Sequence, residues 1–163
     1  MSGGPPRASR PTRPAGYWRP RPLPWEWARH RLIEARNYWI ASILPGGRPH
    51  SRPVWGTWLD DCLYFDTGSR IGTNLAANPE VTVHLESADE VVIVEGIAVR
   101  VSDAQTIQAF FDAYNAKYNG DLTELPGVLF KVTPRAAFGW LCDPTNLDRG
   151  AIFGSTGTRW DFD

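Results

Sequence analysis

Ser69 and Arg70 place a hydroxyl and a guanidinium side by side where a strand gives way to a helix. The stretch around them is CLYFDTGSRIGTNLAANPEVTVHL, residues 62–85. CLYFDT has the composition of a pleated strand. Gly68 breaks it, because glycine takes the sharp turns other residues resist. Ser69 falls at the N-cap of the helix that follows, with Arg70 on its first turn. Pro79 ends that helix, since the residue before a proline is pushed out of the α region, and EVTVHL resumes a period of two. The first N–H groups of a helix have no intrahelical partner. With the Ser69 hydroxyl and the Arg70 guanidinium they make an anion site, and a phosphate-bearing ligand is expected there.

The other reactive side chains form no constellation. There is no GxGxxG, Walker loop, GxSxG or HExxH. His30, His50 and His84 share no metal-ligand spacing and read as packing or surface residues, so no metal is expected. Asp60 and Asp61 sit in a turn, where aspartate is favoured for backbone reasons. Cys62 and Cys142 lie far apart without CxxC spacing and read as reduced, structural thiols. No catalytic side chain is assigned. If the chain is an enzyme, a cofactor carries the difficult chemistry.

The elements that must position Ser69 and Arg70 are short. WEWARHRLIEAR (25–36) has Trp25, Ala28, Leu32 and Ala35 on one helical stripe. NYWIASIL, HSRPVWGTW and CLYFDT read as three strands in a meander, joined by PGGR and LDD. EVVIVEGIAVRV is long for one strand and is expected to bend or bulge at Gly96. Asp103 caps a helix whose stripe of Ile107, Phe110, Phe111, Tyr114 and Tyr118 reads as core packing. VLFKVT and AAFGWLC read as two more strands and GTRWDF as a last one. Six or more short antiparallel strands with two or three helices give an α+β protein built on a barrel.

At 163 residues with 42% hydrophobic content the chain makes one domain with its own core. It lacks an apolar run that would span a bilayer and a signal-peptide core, so a cytoplasmic, membrane-free protein is expected. Residues 1–24 hold seven of the fourteen prolines and read as a disordered or draped tail ahead of a domain at 25–163; Tyr17 and Trp18 are candidates to pin it. Residues 1–36 carry eight arginines against Glu26 and Glu34, a local +6 in a chain of net charge −1. A nucleic-acid arm would make affinity fall steeply with salt; a solvated tail is the reading preferred.

RPVWGTW, then CLYFDTGSRIGTNLAANPEVTVHLE, a later VEG and a closing TRWDF stand in an order that resembles the pyridoxamine 5′-phosphate oxidase-like split β-barrel superfamily. Within it, they resemble the small flavin- or deazaflavin-dependent oxidoreductases. The resemblance runs over about residues 37–162. It implies a split β-barrel of mostly antiparallel strands, and a homodimer with two cofactor sites at the subunit interface. The cofactor is F-420 (a deazaflavin) or FMN, with F-420 slightly preferred, and the reaction is hydride transfer between that ring and a small organic substrate. A strand matching Arg52, Pro53, Val54, Trp55 and Gly56 would run along the ring. Thr67, Gly68, Ser69 and Arg70 would hold the phosphate, with Asn74 positioning Arg70. Arg159 and Trp160 would close the pocket from the terminal strand of one subunit or the other. Arg48, Arg52 and the N-terminal arginines would meet the acidic tail of F-420.

One position departs from the pattern. Where such proteins read Ser-Arg-Lys this chain has Ile71, and a lost cation weakens phosphate binding, since charged hydrogen bonds contribute roughly 1.5–3 kcal/mol each. On that footing Ile71→Lys is expected to tighten binding. The same departure leaves open a non-catalytic carrier of a cofactor or haem-type ligand.

Overall fold

The computed structural model describes residues 4–9, 21–142 and 151–163, with the backbone alone for 151–153. Tyr17 and Trp18 lie outside them, as do the arginines at 10, 13 and 19. The order is β1 (Arg7–Ser9), α1 (Trp25–Glu34), β2 (Tyr38–Ile43), β3 (Pro49–Val54), β4 (Thr57–Leu59), β5 (Cys62–Thr67), α2 (Arg70–Ala77), β6 (Glu80–His84), β7 (Glu90–Arg100), α3 (Ala104–Tyr118), β8 (Val128–Leu141), α4 (Ala151–Thr156) and β9 (Thr158–Asp161). Every strand pairing is antiparallel. The fold is α+β, an antiparallel split barrel.

The sheet runs β3-β2-β6-β7-β8, and there it forks. Residues 128–132 of β8 pair with β5, and residues 136–139 pair with β9. The two strands expected at VLFKVT and AAFGWLC are therefore one. Pro134 lacks an N–H, but it sits in the gap between the two outer partners and opposite Gly96, where the β7 register shifts, so the strand passes through it. The bulge expected at Gly96 is there, and an added Cβ would meet Thr133 O at 2.4 Å. HSRPVWGTW, expected as one strand, is instead split at Trp55 and Gly56 into β3 and β4.

Inside the segment expected to be disordered or draped, β1 pairs with β9 in the register Ala8 to Trp160. Further along, Arg21 N–H donates to Ser155 O at 2.8 Å and Leu23 N–H to Thr158 Oγ1 at 2.8 Å. Both parts lie on the body. Trp25, Ala28 and Leu32 of α1 are buried as their spacing requires. They cover a main core that includes Tyr38, Trp58, Leu63, Phe65, Val94 and Trp160. A smaller core around Tyr64, Phe110 and Leu129 lies under α3. Of the α3 stripe only Phe110 is fully buried; the other four are partly exposed. No helix among the described residues is long and apolar enough to cross a membrane.

Candidate functional site

A cavity of about 650 Å³ opens at the end of β5. Residues 66–71 of the turn into α2 form its floor, and residues 52–55 with His50 form one wall. Tyr114, Leu122 and Pro126 face them from α3 and the loop after it. Clefts of this size hold cofactor-sized ligands.

The floor is built by local hydrogen bonding. Ser69 is the N-cap of α2, and its Oγ accepts the Ile71 N–H at 3.3 Å. Thr67 Oγ1 accepts the Ser69 N–H at 3.1 Å and lies 2.7 Å from Ser69 Oγ. These bonds leave the two hydroxyls and the start of α2 grouped at one point, with Arg70 exposed beside them. The loop behind is pressed flush against the turn: a Cβ at Gly127 would lie 2.3 Å from Thr67 C and 2.4 Å from Gly68 N.

The charges favour an anion. Among the described residues, neither Arg52 nor Arg70 has a carboxylate partner. Among the described residues the one carboxyl on the cavity is Asp66, held above its ordinary range by burial, while the Gly127 N–H it accepts pulls the other way. Burial also raises the Tyr114 phenol, with Asp66 adding to it.

Eight of the residues picked out from the sequence meet here: Arg52, Pro53, Val54, Trp55, Thr67, Gly68, Ser69 and Arg70. Four do not. Gly56 lies behind the wall, buried, its N–H and C=O both taken by α3. Asn74 is fully buried, and its amide is turned to β2 and β3: its Nδ2 donates to Ser42 Oγ at 3.1 Å and lies 3.4 Å from His50 Nδ1. Trp160 is a core residue with 0% exposure, its ring 5.6 Å from that of Trp25, so it closes no pocket. Arg159 donates to Asp161 at 2.7 Å and stands over Phe138, off the cavity.

Ile71 also has a different meaning from the one its place in the motif suggested. Its side chain is wholly buried in the main core. Residue 71 belongs to the cavity floor by position and to the core by its side chain, so a lysine there would have to leave the core to add a cation to the cradle. His50, Asp66, Tyr114, Leu122 and Pro126 were missed. His50 shares the face of Arg52 and Val54 by the period of two, which is the one signal that pointed to it. Among the described residues no His, Cys, Asp and Glu cluster suits a metal.

A forked antiparallel barrel with a hydroxyl-and-arginine cradle at the end of one strand defines a protein of the split-barrel class. Residues 26–141 match the model of the pyridoxamine 5′-phosphate oxidase family, and the chain belongs to that family. Among solved structures it is similar to the conserved hypothetical protein Rv2991 from Mycobacterium tuberculosis, at TM-score 0.62 and 23% identity over 72% of this chain and 83% of that one. It is similar to an F-420 reductase at TM-score 0.50 and 29% identity, over 66% of this chain and 94% of that one. A haem-binding protein from Mycobacterium smegmatis matches at TM-score 0.56 and 19% identity, over 70% of this chain and 52% of that one, which is a likeness of fold. No curated protein matches the chain in sequence.

Proposed function

We propose that this chain is an oxidoreductase that binds F-420 or FMN and serves hydride transfer between the cofactor ring and a small organic substrate. The observation that carries the reading is the pairing of two surfaces on one cavity. One hydroxyl proton of the hydrogen-bonded Thr67–Ser69 pair, with Arg70, offers donors to a phosphate, while Pro53, Val54 and Trp55 offer an apolar, aromatic edge. The residues present therefore fit a group with a phosphate at one end and a flat ring at the other. When bound, either cofactor supplies a ring position that accepts or donates a hydride. Arg70 and Ser69 anchor the anionic end, Arg52 adds a second cation, and the strand wall excludes water from the ring's face. F-420 is preferred over FMN for the likeness to an F-420 reductase and for exposed Arg48 and Arg52 near one another in sequence, which suit an acidic tail.

The working unit is a homodimer with the cofactor between subunits. Among the described residues β3 ends the sheet, and its residues 51–53 are exposed, so one wall of the cavity is also a strand edge without a described partner. A second reading, a carrier of haem or another ligand without turnover, is favoured by His50 on the cavity wall, since imidazole is a common haem ligand. Titration of the purified chain with FMN, F-420 and haemin, followed by fluorescence and absorbance, separates them. An enzyme binds a flavin-type ring and turns it over with an added donor or acceptor. Saturable haemin binding without flavin binding supports the carrier, and sedimentation as a monomer in the presence of bound cofactor removes the dimer.

A further inference from the structure

The last turn of α3 grips the far end of the cavity wall. Lys117 Nζ donates to Gly56 O and to Tyr38 Oη, each at 2.9 Å. Tyr118 Oη accepts the Gly56 N–H at 3.0 Å and donates to Arg36 O at 2.5 Å. The Tyr118 ring stacks on the Trp55 indole, centroids 5.0 Å apart and planes 9° from parallel, and the Arg36 guanidinium stands 5.3 Å from the indole centroid. The same peptide is pressed on β5 as well: a Cβ at residue 56 would meet Tyr64 O at 2.5 Å.

Trp55 is 50% exposed and lines the cavity, yet it is held by a ring, a cation and the peptide next to it. A free tryptophan at a strand end loses rotamer freedom when a ligand packs on it. One already fixed in plane gives its contact area without that cost.

We propose that Lys117 and Tyr118 are positioning residues for the cavity's ligand: by holding Gly56 at both its N–H and its C=O they fix the Trp55 indole as a flat wall against which the ligand's aromatic ring packs. This rests on the reading of the cavity as a site for a ring-bearing cofactor. Lys117 and Tyr118 touch no ligand themselves. They act through Trp55, and the ligand class they favour is a planar heteroaromatic ring that carries its anion on a separate arm, towards Ser69 and Arg70.

The test uses the full chain with Tyr118→Leu, Tyr118→Phe, Lys117→Met, Trp55→Leu and, as a control on the anion end, Arg70→Ala. FMN and F-420 are titrated by fluorescence, the emission of the bound cofactor at saturation is recorded, and the melting temperature of each variant is measured. Stacking on an indole quenches flavin emission. Tyr118→Leu and Trp55→Leu are expected to weaken binding about tenfold and to restore emission of the bound ring. Tyr118→Phe keeps the stack and so keeps the quenching, with a smaller loss of affinity, and Arg70→Ala loses affinity but leaves emission at saturation unchanged. If Tyr118→Leu fails to fold, Tyr118→Phe against Lys117→Met carries the comparison, the second being expected to raise emission. Wild-type quenching in Tyr118→Leu or Lys117→Met, or an affinity loss fully explained by a lower melting temperature, overturns the clamp while the cofactor reading stands. A wild-type chain that binds neither cofactor overturns the cofactor reading, and the clamp with it.

Discussion

Asp66 Oδ2 accepts the Gly127 N–H at 3.1 Å, and that bond fastens the end of β5 to the start of β8 at the edge of the anion cradle. It also places a carboxyl on the cavity that Arg52 and Arg70 line. Ionised, Asp66 opposes an incoming phosphate. Asp66→Asn keeps an oxygen for Gly127 and removes the charge, so FMN affinity at pH 7.5 is expected to rise about 3- to 10-fold, measured by fluorescence titration. The folded-state pKa of Asp66 is raised, so the folded chain binds this proton more readily than the unfolded one. Ionisation therefore costs stability as pH rises past the unfolded value, and Asp66→Asn should melt higher than wild type at neutral pH but not at pH 3.

Arg70→Ala should weaken a phosphate-ended ligand by about 10- to 100-fold, the range of a charge-assisted hydrogen bond. The melting temperature should not move, because Arg70 is exposed and has no carboxylate partner among the described residues. Titration at two salt concentrations checks the electrostatic origin: the gap between wild type and variant should narrow at high salt.

Ile71→Lys should lower stability by roughly 3–5 kcal/mol, since it leaves an unpaired ammonium where Ile71 is now fully buried. Urea denaturation reads this directly. A variant that folds as well as wild type and binds FMN more tightly would show that the residue at 71 reaches the cradle after all.

Trp160→Ala should cost about 3–5 kcal/mol through the cavity left beside Trp25, while the fraction that folds binds cofactor as wild type does. Trp55→Ala should do the reverse, sparing stability and weakening the ligand. Melting curves and titrations of the two variants side by side test the exchange of roles.

Burial lowers the Lys117 ammonium to about 8, against an ordinary 10.5. Between about pH 8 and pH 10 the unfolded chain thus holds more protons at this residue than the folded one, and its contribution to stability rises with pH. Above that window the buried phenols of Tyr38 and Tyr118, both raised by burial, act in the opposite sense, because the folded chain keeps protons that the unfolded chain releases. The urea midpoint of Lys117→Met should lack the rise that wild type shows on going from pH 7.5 to pH 9.5.

The cradle was legible because its determinants are local. Gly68, Ser69 and Pro79 each act on the backbone within a few residues, so the strand, turn, cap and helix follow from composition. The opposite wall was not, because Tyr114, Leu122 and Pro126 reach the cavity only when α3 packs over β5 and β8. The break at Gly56 depends on the approach of Tyr64 O, and the continuity of β8 through Pro134 depends on where two other strands end. Neither is a property of its own neighbourhood. Trp160 misled for the same reason: nothing beside it in sequence tells a core indole from a pocket one.

The fork in β8 has a consequence for how such a chain diverges over generations. A residue gained or lost between 132 and 136 would exchange the two faces of everything beyond it. Gly139, which must leave room for the Trp160 ring, would turn away from it. The half that pairs with β5 would be untouched. Side chains around the cradle can change one at a time, whereas a change in the length of this shared strand displaces a whole half of the sheet at once.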